Sequence, residues 1–371
     1  MDDRTAAGRR PAPALTCAIA GYGVMGRMHR AKLAELGVRT VAVVDPRAAG
    51  RVLPCGARVV ATLDQVPDPR AVDLWSICVP TVAHAPVFRR ISRLAPEADV
   101  IIEKPVCAPS ALPGMARLLA DHHGRVAVDE HYGASIVLAE VARVLSARAL
   151  TVTRVAVEMT KHRGRDADGG RFEDRALGAL GYEGPHLLGV LDALGQRLGV
   201  PLRPGGPVAA SFHGTWGADG AAPQEGAEVR YRTAAGCDVV LYTSLVGRPR
   251  RQAPGPRAIA YGSDLRHRVI EVEAVDRRGR RRLVTGAFEP VAGRLRNEGT
   301  VAVLRDGHPL GPTRTVHDDP LGRHLGRILR YFDGRAANPA PAGQGIDHVA
   351  LLDAWVRAAR PEPIRAARTA A

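Results

Sequence analysis

The stretch that decides the fold is residues 15–45, which read LTCAIA, GYGVMG, RMHRAKLAELGVRT and VAVVD. The first six residues predict a buried strand and the glycine-rich hexapeptide predicts a tight turn. The remainder predicts a helix and a second strand that ends at Asp45. A strand, a helix and a parallel strand in this order are the repeating unit of a doubly wound α/β sheet.

Three glycines give the turn the properties of a dinucleotide-binding site. Gly21 permits a tight turn, Gly23 lets the backbone approach a pyrophosphate, and Gly26 lets the helix pack close to the strand. The amide groups at the helix start, those of Val24 and Met25 among them, then point at the phosphates, and the helix dipole favours negative charge there. The hexapeptide therefore predicts nucleotide binding.

A carboxylate follows at the distance that such a site needs. Asp45 lies nineteen residues after Gly26, near the spacing of about 20 residues at which a carboxylate reaches the adenosine ribose hydroxyls. Because Asp45 repels a ribose phosphate, NAD is the expected cofactor. Arg47, two residues later, leaves NADP open as the alternative.

The composition indicates two domains and argues against a nucleic-acid partner. The chain has 371 residues, 46% of them hydrophobic, which is more than one compact domain usually holds. Lysine and arginine total 52 against 38 acidic residues, a net charge of +14, and such a balance raises the question of nucleic acid. Aromatic residues make up only 4% and the arginines are scattered along the chain. We therefore expect no nucleic-acid partner.

The five cysteines predict a reducing compartment. They stand at positions 17, 55, 78, 107 and 237 and never form a CxxC pair, so neither a disulfide framework nor a zinc site is indicated. The start of the chain lacks the apolar segment of a secretion signal, and no apolar run reaches the roughly 18 residues of a membrane span. We expect a cytoplasmic protein without a metal site and without membrane contact.

The pattern of the first half predicts a parallel sheet, and that of the second half predicts a mostly antiparallel one. Strands alternate with helices up to about residue 130, whereas later segments mostly alternate in polarity and are joined by hairpin turns. We expect a disordered N-terminus (1–13), a Rossmann domain (14–131), an α/β domain for substrate binding and oligomerisation (132–360) and a flexible tail (361–371). The fold class is therefore α/β with a doubly wound first domain.

The same patterns predict the individual helices, strands and loops. In the first half they are strands at 72–79, 99–103 and 125–129, helices at 86–94 and 110–123, and a short helix start at 61–66. In the second half they are strands at 151–160, 208–213, 227–233, 237–244, 269–276, 282–287 and 300–305, helices at 177–194, 321–332 and 344–360, and loops at 164–170 and 247–257.

Glu103-Lys104-Pro105 stands at the end of a predicted central strand, where cofactor and substrate meet in such a sheet. The proline restricts the lysine backbone to extended angles and, in some proteins of this kind, takes the cis form. A lysine held there can hydrogen-bond a reacting hydroxyl or carbonyl and, if burial lowers its pKa, share in proton transfer. Lys104 is therefore a candidate catalytic residue.

These motifs together resemble those of the glucose–fructose oxidoreductase, inositol dehydrogenase and rhizopine-catabolism (Gfo/Idh/MocA) oxidoreductases. The resemblance spans roughly residues 15–195. It rests on the glycine turn with His29, on residues 77–81 with His84, on Glu103-Lys104-Pro105 and on Gly184-Pro185-His186.

The resemblance implies a Rossmann domain followed by an α/β domain with an open sheet. It also implies NAD(P)-dependent hydride transfer, with sugars, cyclitols or related carbonyl compounds as substrates. The cofactor site then includes Pro80, Thr81, His84, Glu103 and Lys104. Because an exposed apolar sheet face is unfavourable in water, we expect a homodimer or homotetramer formed through the second sheet.

The chain departs from the family at one catalytic position. The family commonly pairs its lysine with Asp-x-x-x-His on a helix of the second domain. Here His186 matches the histidine and is the candidate general acid and base, but Tyr182 stands in place of the aspartate, with Glu183 next to it. Either Glu183, which we favour, orients the imidazole, or Tyr182 does so by hydrogen bonding.

Two further strand ends are expected to border the same cleft. Lys161 and Arg163 follow the first strand of the second domain, and His131 and Tyr132 follow the last Rossmann strand. Their cationic and hydroxyl groups suit a polyol, a phosphate or a carboxylate. These four residues are the candidate substrate-binding groups.

The expected function is hydride transfer between nicotinamide and a hydroxyl or carbonyl carbon of a sugar, a cyclitol or a related small molecule. Reduction of an imine is the enzymatic alternative, since the same cofactor and proton donor serve a C=N bond. The absent aspartate keeps a third alternative open, a catalytically silent nucleotide-binding or sensor protein.

Overall fold

Two sheets of different kinds make up the protein. The computed structural model describes residues 15–169, 171, 173–251, 257–289 and 297–361. The predicted N-terminal segment (1–13), residues 252–256 of the predicted loop at 247–257, and all but the first residue of the predicted tail lie outside these ranges.

The first sheet is parallel and has six strands in the order β3-β2-β1-β4-β5-β6. The strands are Thr16–Ala20 (β1), Arg39–Val44 (β2), Arg58–Val60 (β3), Leu74–Ile77 (β4), Asp99–Glu103 (β5) and Val126–Asp129 (β6). The strand order reverses between β1 and β4, and ligands bind at such a switch point, beyond the carboxyl ends of the strands. The predicted Rossmann arrangement is confirmed. Only β3, a three-residue edge strand, was not predicted.

Four helices follow strands of this sheet or lead out of it. They are Val24–Glu35 (α1), His84–Leu94 (α2), Leu112–Asp121 (α3) and Ile136–Ala147 (α4). The helix predicted at 61–66 is instead one 3-10 turn, Leu63–Gln65, closed by a capping box between Thr62 and Gln65. Helix α4 was not predicted, although Ser135 caps it by accepting the Leu138 N–H.

The second sheet has nine strands, and among the described residues only the β7–β10 pair is parallel. Its order is β14-β13-β12-β11-β7-β10-β9-β8, with β15 also paired to β13. The strands are Thr151–Lys161 (β7), Pro204–His213 (β8), Gly226–Thr233 (β9), Asp238–Ser244 (β10), Arg266–Val275 (β11), Arg281–Ala287 (β12), Glu298–Arg305 (β13), His308–Pro309 (β14) and Arg314–His317 (β15). The predicted mostly antiparallel sheet is confirmed.

Four more helices complete the chain: Gly164–Asp168 (α5), Ala179–Leu198 (α6), Pro320–Phe332 (α7) and Ala342–Ala359 (α8). The predicted loop at 164–170 thus begins with the short helix α5. Helices α4, α6 and α8 pack on one face of the second sheet, where Val155, Val157 and Met159 of β7 point into the shared apolar core. No helix in the described ranges is long and apolar enough to span a bilayer.

The other face of the second sheet carries paired charges. Glu158 is fully buried there, and its carboxylate accepts the backbone N–H groups of Arg250 (3.1 Å) and Arg251 (2.7 Å). Arg154 pairs with Glu273 at 2.7 Å on the same face. In the described part of the chain, a partner subunit would therefore meet charge here.

The last two helices return to the first sheet. Leu321, Leu325 and Ile328 of α7 are buried with the residues of β1 and β2. Val349 of α8 joins the apolar core on the other side of the sheet. Ala340, just before α8, accepts the N–H of Val128 in the edge strand β6 at 3.0 Å. The core of the first sheet is thus completed by the end of the chain.

Candidate active site

The glycine turn has the backbone geometry that each glycine predicts. Gly21 has a φ of +91°, which favours glycine. A Cβ on Gly26 would lie 2.0 Å from the carbonyl oxygen of Gly21, whereas a Cβ on Gly23 would meet nothing within 4 Å. The turn is therefore tightly packed on the protein side and open at Gly23, where a pyrophosphate needs room.

An exposed apolar side chain follows Gly23 directly. Val24, the first residue of α1, is 43% exposed, and an exposed valine beside a cleft suits the flat face of a ring system. Met25 is half-buried at the helix start, and Pro80 and Thr81 lie at the exposed end of β4.

Asp45 is fixed at the end of β2 with its carboxylate already hydrogen-bonded. Its Oδ2 accepts the N–H of Tyr22 and its Oδ1 accepts the N–H of Arg47, both at 2.9 Å. The side chain of Arg47 is 84% exposed. The carboxylate thus links the glycine turn to the next strand, and the largely exposed guanidinium of Arg47 lies 3.9 Å from its Oδ1.

Two predicted cofactor residues lie beneath the site rather than on its surface. His84 is buried, with its ring nitrogens 2.9 Å from the carbonyl oxygens of Val79 and Pro105. It therefore ties the end of β4 to the Lys104-Pro105 turn. Glu103 is also buried, and its Oε1 lies 3.0 Å from Nε2 of His29.

His29 lies between two carboxylates under the strand ends. Its Nε2 is 3.0 Å from both Glu103 Oε1 and Asp129 Oδ2, and its Nδ1 is 2.8 Å from Ser76 Oγ. Burial alone lowers the pKa of His29, but Cys78 and the two carboxylates raise it well above its ordinary value. An imidazolium between β5 and β6 fits this arrangement, and it fixes the residues that follow both strands, Lys104 and Glu130.

Lys104 reaches from the first domain to helix α6. The Lys104-Pro105 peptide bond is cis, and the ammonium of Lys104 donates to the backbone carbonyl of Tyr182 at 2.6 Å. His186 lies one helical turn after Tyr182 and is buried. The ammonium and the imidazole are thereby brought to the same part of α6.

The carboxylate that contacts His186 is Glu130, not Glu183. Nδ1 of His186 lies 2.7 Å from Oε1 of Glu130, which comes from the end of β6. Burial and the cation Lys104 lower the pKa of His186 well below its ordinary value. Burial also raises the pKa of Glu130 well above its ordinary value, and Lys104 opposes this shift only in part. The preference for Glu183 as the orienting group is therefore wrong.

Glu183 is held instead by an arginine of the second sheet. Its oxygens accept from Nη2 of Arg268 at 3.0 and 3.1 Å, and Arg268 also donates to the hydroxyl of Tyr132. Burial raises the pKa of Glu183, but Arg268 and neighbouring cations lower it to about 2. Tyr132, a predicted substrate residue, is 3% exposed and belongs to this buried network.

Tyr182 contributes to the site through its backbone carbonyl and its aromatic ring. Its carbonyl holds Lys104, and the guanidinium of Arg163 lies over its ring, 3.2 Å from the centroid. Arg163 is buried, and burial lowers its pKa to about 10. A cation at this distance from an aromatic face fixes both side chains.

Cationic groups gather around Asp166 at the end of β7. Its carboxylate pairs with Lys161 (3.1 Å), Arg163 (3.1 Å) and Arg171 (2.8 Å). Burial lowers the pKa of Lys161 to about 8. Three cations on one carboxylate leave a local positive excess. His131, the fourth predicted substrate residue, has its ring 4.8 Å from that of His186.

Glu130, His29 and Arg268 were not among the predicted site residues, although the run that contains Glu130 was expected at the border of the cleft. Glu130 stands at the carboxyl end of a predicted strand, and that position was the available signal. His29 carried the family resemblance but no predicted role. Arg268 lies inside a strand, on the face that holds apolar residues at neighbouring positions, so the alternation gave no sign of a buried guanidinium.

A family model matches the first domain. Residues 15–130 match the oxidoreductase family with an NAD-binding Rossmann fold, Gfo/Idh/MocA, which confirms the resemblance and the expected NAD-binding domain. No curated protein matches the chain.

Solved structures share the architecture over almost the whole chain. UDP-N-acetylglucosamine 3-dehydrogenase GnnA from Acidithiobacillus ferrooxidans is 17% identical, with 93% of this chain and 97% of that chain covered and a TM-score of 0.64. GenD2 from gentamicin A biosynthesis, solved with NAD, is 19% identical, with 96% and 97% covered and a TM-score of 0.64.

A third structure contains both a cofactor and a sugar nucleotide. The WlbA dehydrogenase from Chromobacterium violaceum, in complex with NADH and UDP-GlcNAcA, is 15% identical, with 94% of each chain covered and a TM-score of 0.65. At these identities the likeness concerns the fold.

Proposed function

We propose, from the premise that residues 15–130 are an NAD-binding Rossmann domain of the Gfo/Idh/MocA oxidoreductase family, that the whole chain is a dehydrogenase acting on a hydroxyl-bearing carbon of a sugar-like substrate. One observation carries the proposal. Lys104 of the first domain donates to the Tyr182 carbonyl on α6, one turn from the imidazole of His186. A proton-accepting ring and a cation thus stand together at the carboxyl ends of the first sheet.

The residues that would hold the cofactor fit a dinucleotide. The N-terminus of α1 offers amide groups to a pyrophosphate beside the open Gly23, and the Asp45 carboxylate suits ribose hydroxyls. When bound, NAD supplies the hydride acceptor at nicotinamide C4. Asp45 favours NAD over NADP because a ribose phosphate would meet its charge.

Lys104 and His186 divide the work on the substrate oxygen. The Lys104 ammonium binds that oxygen and stabilises negative charge on it as the hydroxyl loses its proton. The neutral His186, kept so by burial, accepts the proton, and proton transfer of this kind contributes roughly 10²- to 10⁴-fold to a rate. Arg163 and the Tyr182 ring hold the helix turn that positions both groups.

The substrate class follows from the charges at the end of β7. Lys161, Arg163 and Arg171 surround a single carboxylate, Asp166, and such an excess favours a substrate that bears a carboxylate or phosphate. GnnA and WlbA, by their names and bound ligands, are associated with UDP-sugars. We therefore propose a polyol or sugar with an anionic group as the substrate.

The proposal also includes the cellular compartment and the oligomeric state. The five cysteines are free, which suits a reducing cytoplasm. The charged outer face of the second sheet is the proposed contact in a homodimer or homotetramer, and sedimentation at low and high salt tests it, because screening weakens contacts between charges.

The test is a substrate panel with the purified protein, NAD(H) and NADP(H). The panel contains neutral polyols, uronates, nucleotide sugars and cyclic imines, and absorbance of the reduced nicotinamide is the readout. We expect oxidation of an anionic sugar with NAD, and a loss of about 10²-fold or more in kcat for Lys104→Met with NADH affinity kept. Lys32→Met, in the last turn of α1, is the control.

Each other result has a defined meaning. Turnover of imines without any polyol favours imine reduction. NADH binding without turnover of any compound favours a silent nucleotide-binding protein, and full activity of Lys104→Met contradicts the assignment of Lys104.

A further inference from the structure

A cavity of about 510 Å³ lies between the two halves of the protein, behind the proposed catalytic groups. It is bounded by the edge strand β6, by α6, and by the segment that leads into α8. Lys104 and Glu130 line it, but the glycine-turn residues do not. Within the described part of the chain it therefore adjoins the proposed catalytic groups and does not extend to the glycine turn. Its polar lining includes Asp192, Gln196, His324, Arg327, Gln344 and His348.

Glu130 stands between this cavity and His186. Its Oε1 is 2.7 Å from His186 Nδ1, while its Oε2 is buried with no hydrogen-bond partner among the described residues. The residue is 9% exposed. A buried carboxylate oxygen without a partner costs about 1–3 kcal/mol. Because Glu130 itself lines the cavity, a rotation of its carboxyl group is enough to bring this oxygen to the cavity, where there is room and polar lining for water.

The neighbouring helix makes room for this carboxylate. A Cβ on Gly189 would lie 2.4 Å from Cγ of Glu130, so a glycine at this position of α6 is what admits the side chain. Orientation of His186 requires only one carboxylate oxygen. An orienting role leaves the second oxygen, which is buried and has no hydrogen-bond partner among the described residues, without a function.

We propose that Glu130 is a proton-relay residue that carries the proton released by substrate oxidation from His186 to water in the cavity. This inference rests on the proposed dehydrogenase function. The relay joins the substrate oxygen, Nε2 and Nδ1 of His186, Oε1 and Oε2 of Glu130, and the cavity.

The proton balance of one turnover is simple. As the C–H hydride passes to NAD and the carbonyl forms, the hydroxyl proton goes to Nε2 of neutral His186. At rest His186 carries its proton on Nδ1 and Glu130 carries its proton on Oε2. The imidazolium gives its Nδ1 proton to Oε1 of Glu130 as the Oε2 proton passes to water, and the two groups return to their resting tautomers before the next turnover. Alcohol and NAD thus yield carbonyl, NADH and one released proton.

The surroundings of the pair favour a neutral imidazole on His186 and a protonated carboxyl group on Glu130. Glu130 faces the cation Lys104 and the carboxylates Asp129, Glu103 and Glu183. His186 faces Lys104, His131, Arg268 and Asp129, and His324 and Arg327 line the cavity side. Burial disfavours both the imidazolium and the carboxylate, so moving the proton along the pair separates no additional charge.

The experiment compares Glu130→Gln and Glu130→Ala with the wild-type enzyme. Glutamine keeps the volume and a hydrogen bond to His186 but passes no proton, whereas alanine joins the vacated space to the cavity. We expect kcat to fall about 10²-fold in both variants with NADH affinity unchanged. We also expect formate to restore Glu130→Ala at least tenfold without affecting Glu130→Gln. Glu183→Ala, which vacates the place of a buried carboxylate on the helix that carries His186, is the matched control whose activity formate leaves unchanged.

Two results overturn the relay. Wild-type kcat in Glu130→Gln shows that orientation alone suffices, and loss of kcat in both variants without rescue by formate assigns Glu130 a structural role.

A measurement without turnover separates this inference from the proposed function. The infrared difference between wild type and Glu130→Gln contains the carbonyl band of a protonated carboxylic acid near neutral pH if Glu130 is protonated at rest as described, and lacks it otherwise. The band together with no turnover of any substrate counts against the dehydrogenase assignment. Turnover without the band counts against the relay.

Discussion

Replacement of Arg268 by methionine tests whether Glu183 belongs to a buried ion pair. Arg268 donates twice to the Glu183 carboxylate, and both side chains are at least 90% buried. Methionine keeps much of the volume but leaves the carboxylate buried without its cation. An uncompensated buried charge costs about 3–5 kcal/mol.

The pKa of Glu183 gives a second estimate of how much its neighbouring cations stabilise the folded state. Its value falls from the ordinary 4.5 to about 2, although burial alone would raise it. Because one pH unit of pKa corresponds to about 1.4 kcal/mol, the surrounding cations stabilise the folded state by about 3 kcal/mol. Since the folded-state pKa is depressed, this contribution is fully present above pH 4.5 and is lost as the pH falls through about 2.

Urea unfolding at pH 7 is the assay. Tryptophan fluorescence reports both cores, because Trp75 and Trp355 are buried in different ones. We expect Arg268→Met to lower the free energy of unfolding by about 3 kcal/mol, and Glu183→Gln/Arg268→Met to recover most of it. In Arg268→Met the deficit shrinks as the pH falls from 7 toward 4, since protonation of Glu183 removes the unpaired charge.

Arg154→Met is the control because its ion pair with Glu273 is a third to a half exposed. Such pairs contribute about 0–1 kcal/mol. A deficit for Arg268→Met no larger than that of the control refutes the reasoning, as does a double variant whose loss equals the sum of the two single losses.

Three further predictions concern other parts of the chain. Gly26→Ala places a Cβ 2.0 Å from a backbone oxygen and should lower the melting temperature by several degrees, whereas Gly23→Ala should leave it unchanged and weaken NADH binding; equal melting temperatures contradict this. Asp45→Ala should weaken NADH binding about tenfold and lower the preference for NADH over NADPH in fluorescence titrations, and an unchanged preference speaks against a ribose contact. Burial raises the pKa of Glu158 to about 7, so the free energy of unfolding should decrease as the pH rises from 4.5 to 7. Glu158→Gln should remove this pH dependence in urea titrations, and the loss that it removes amounts to about 3 kcal/mol at pH 8.

Local chemistry was enough to predict the first domain. The glycine turn, the apolar runs and Asp45 each determine their own conformation or position with little help from distant residues, and the parallel sheet follows from their order. The strand at residues 58–60 was not predicted because three residues are too few to show a periodic pattern.

The pairing of charges could not be predicted in the same way. Helical spacing places Glu183 beside His186, but Arg268, 85 residues away, competes for that carboxylate and Glu130 reaches His186 from the other domain. Which acid meets which base depends on how two domains pack, and spacing along one helix does not contain that information.

The return of the last two helices to the first sheet sets the timing of folding during synthesis. Leu321, Leu325, Ile328 and Val349 cover apolar surface of the N-terminal strands, yet the ribosome adds them last. Until then, that surface is uncovered on the growing polypeptide, and exposed apolar surface of this kind promotes aggregation. A fragment that stops near residue 150 should therefore need chaperones, even though it contains every strand of its sheet.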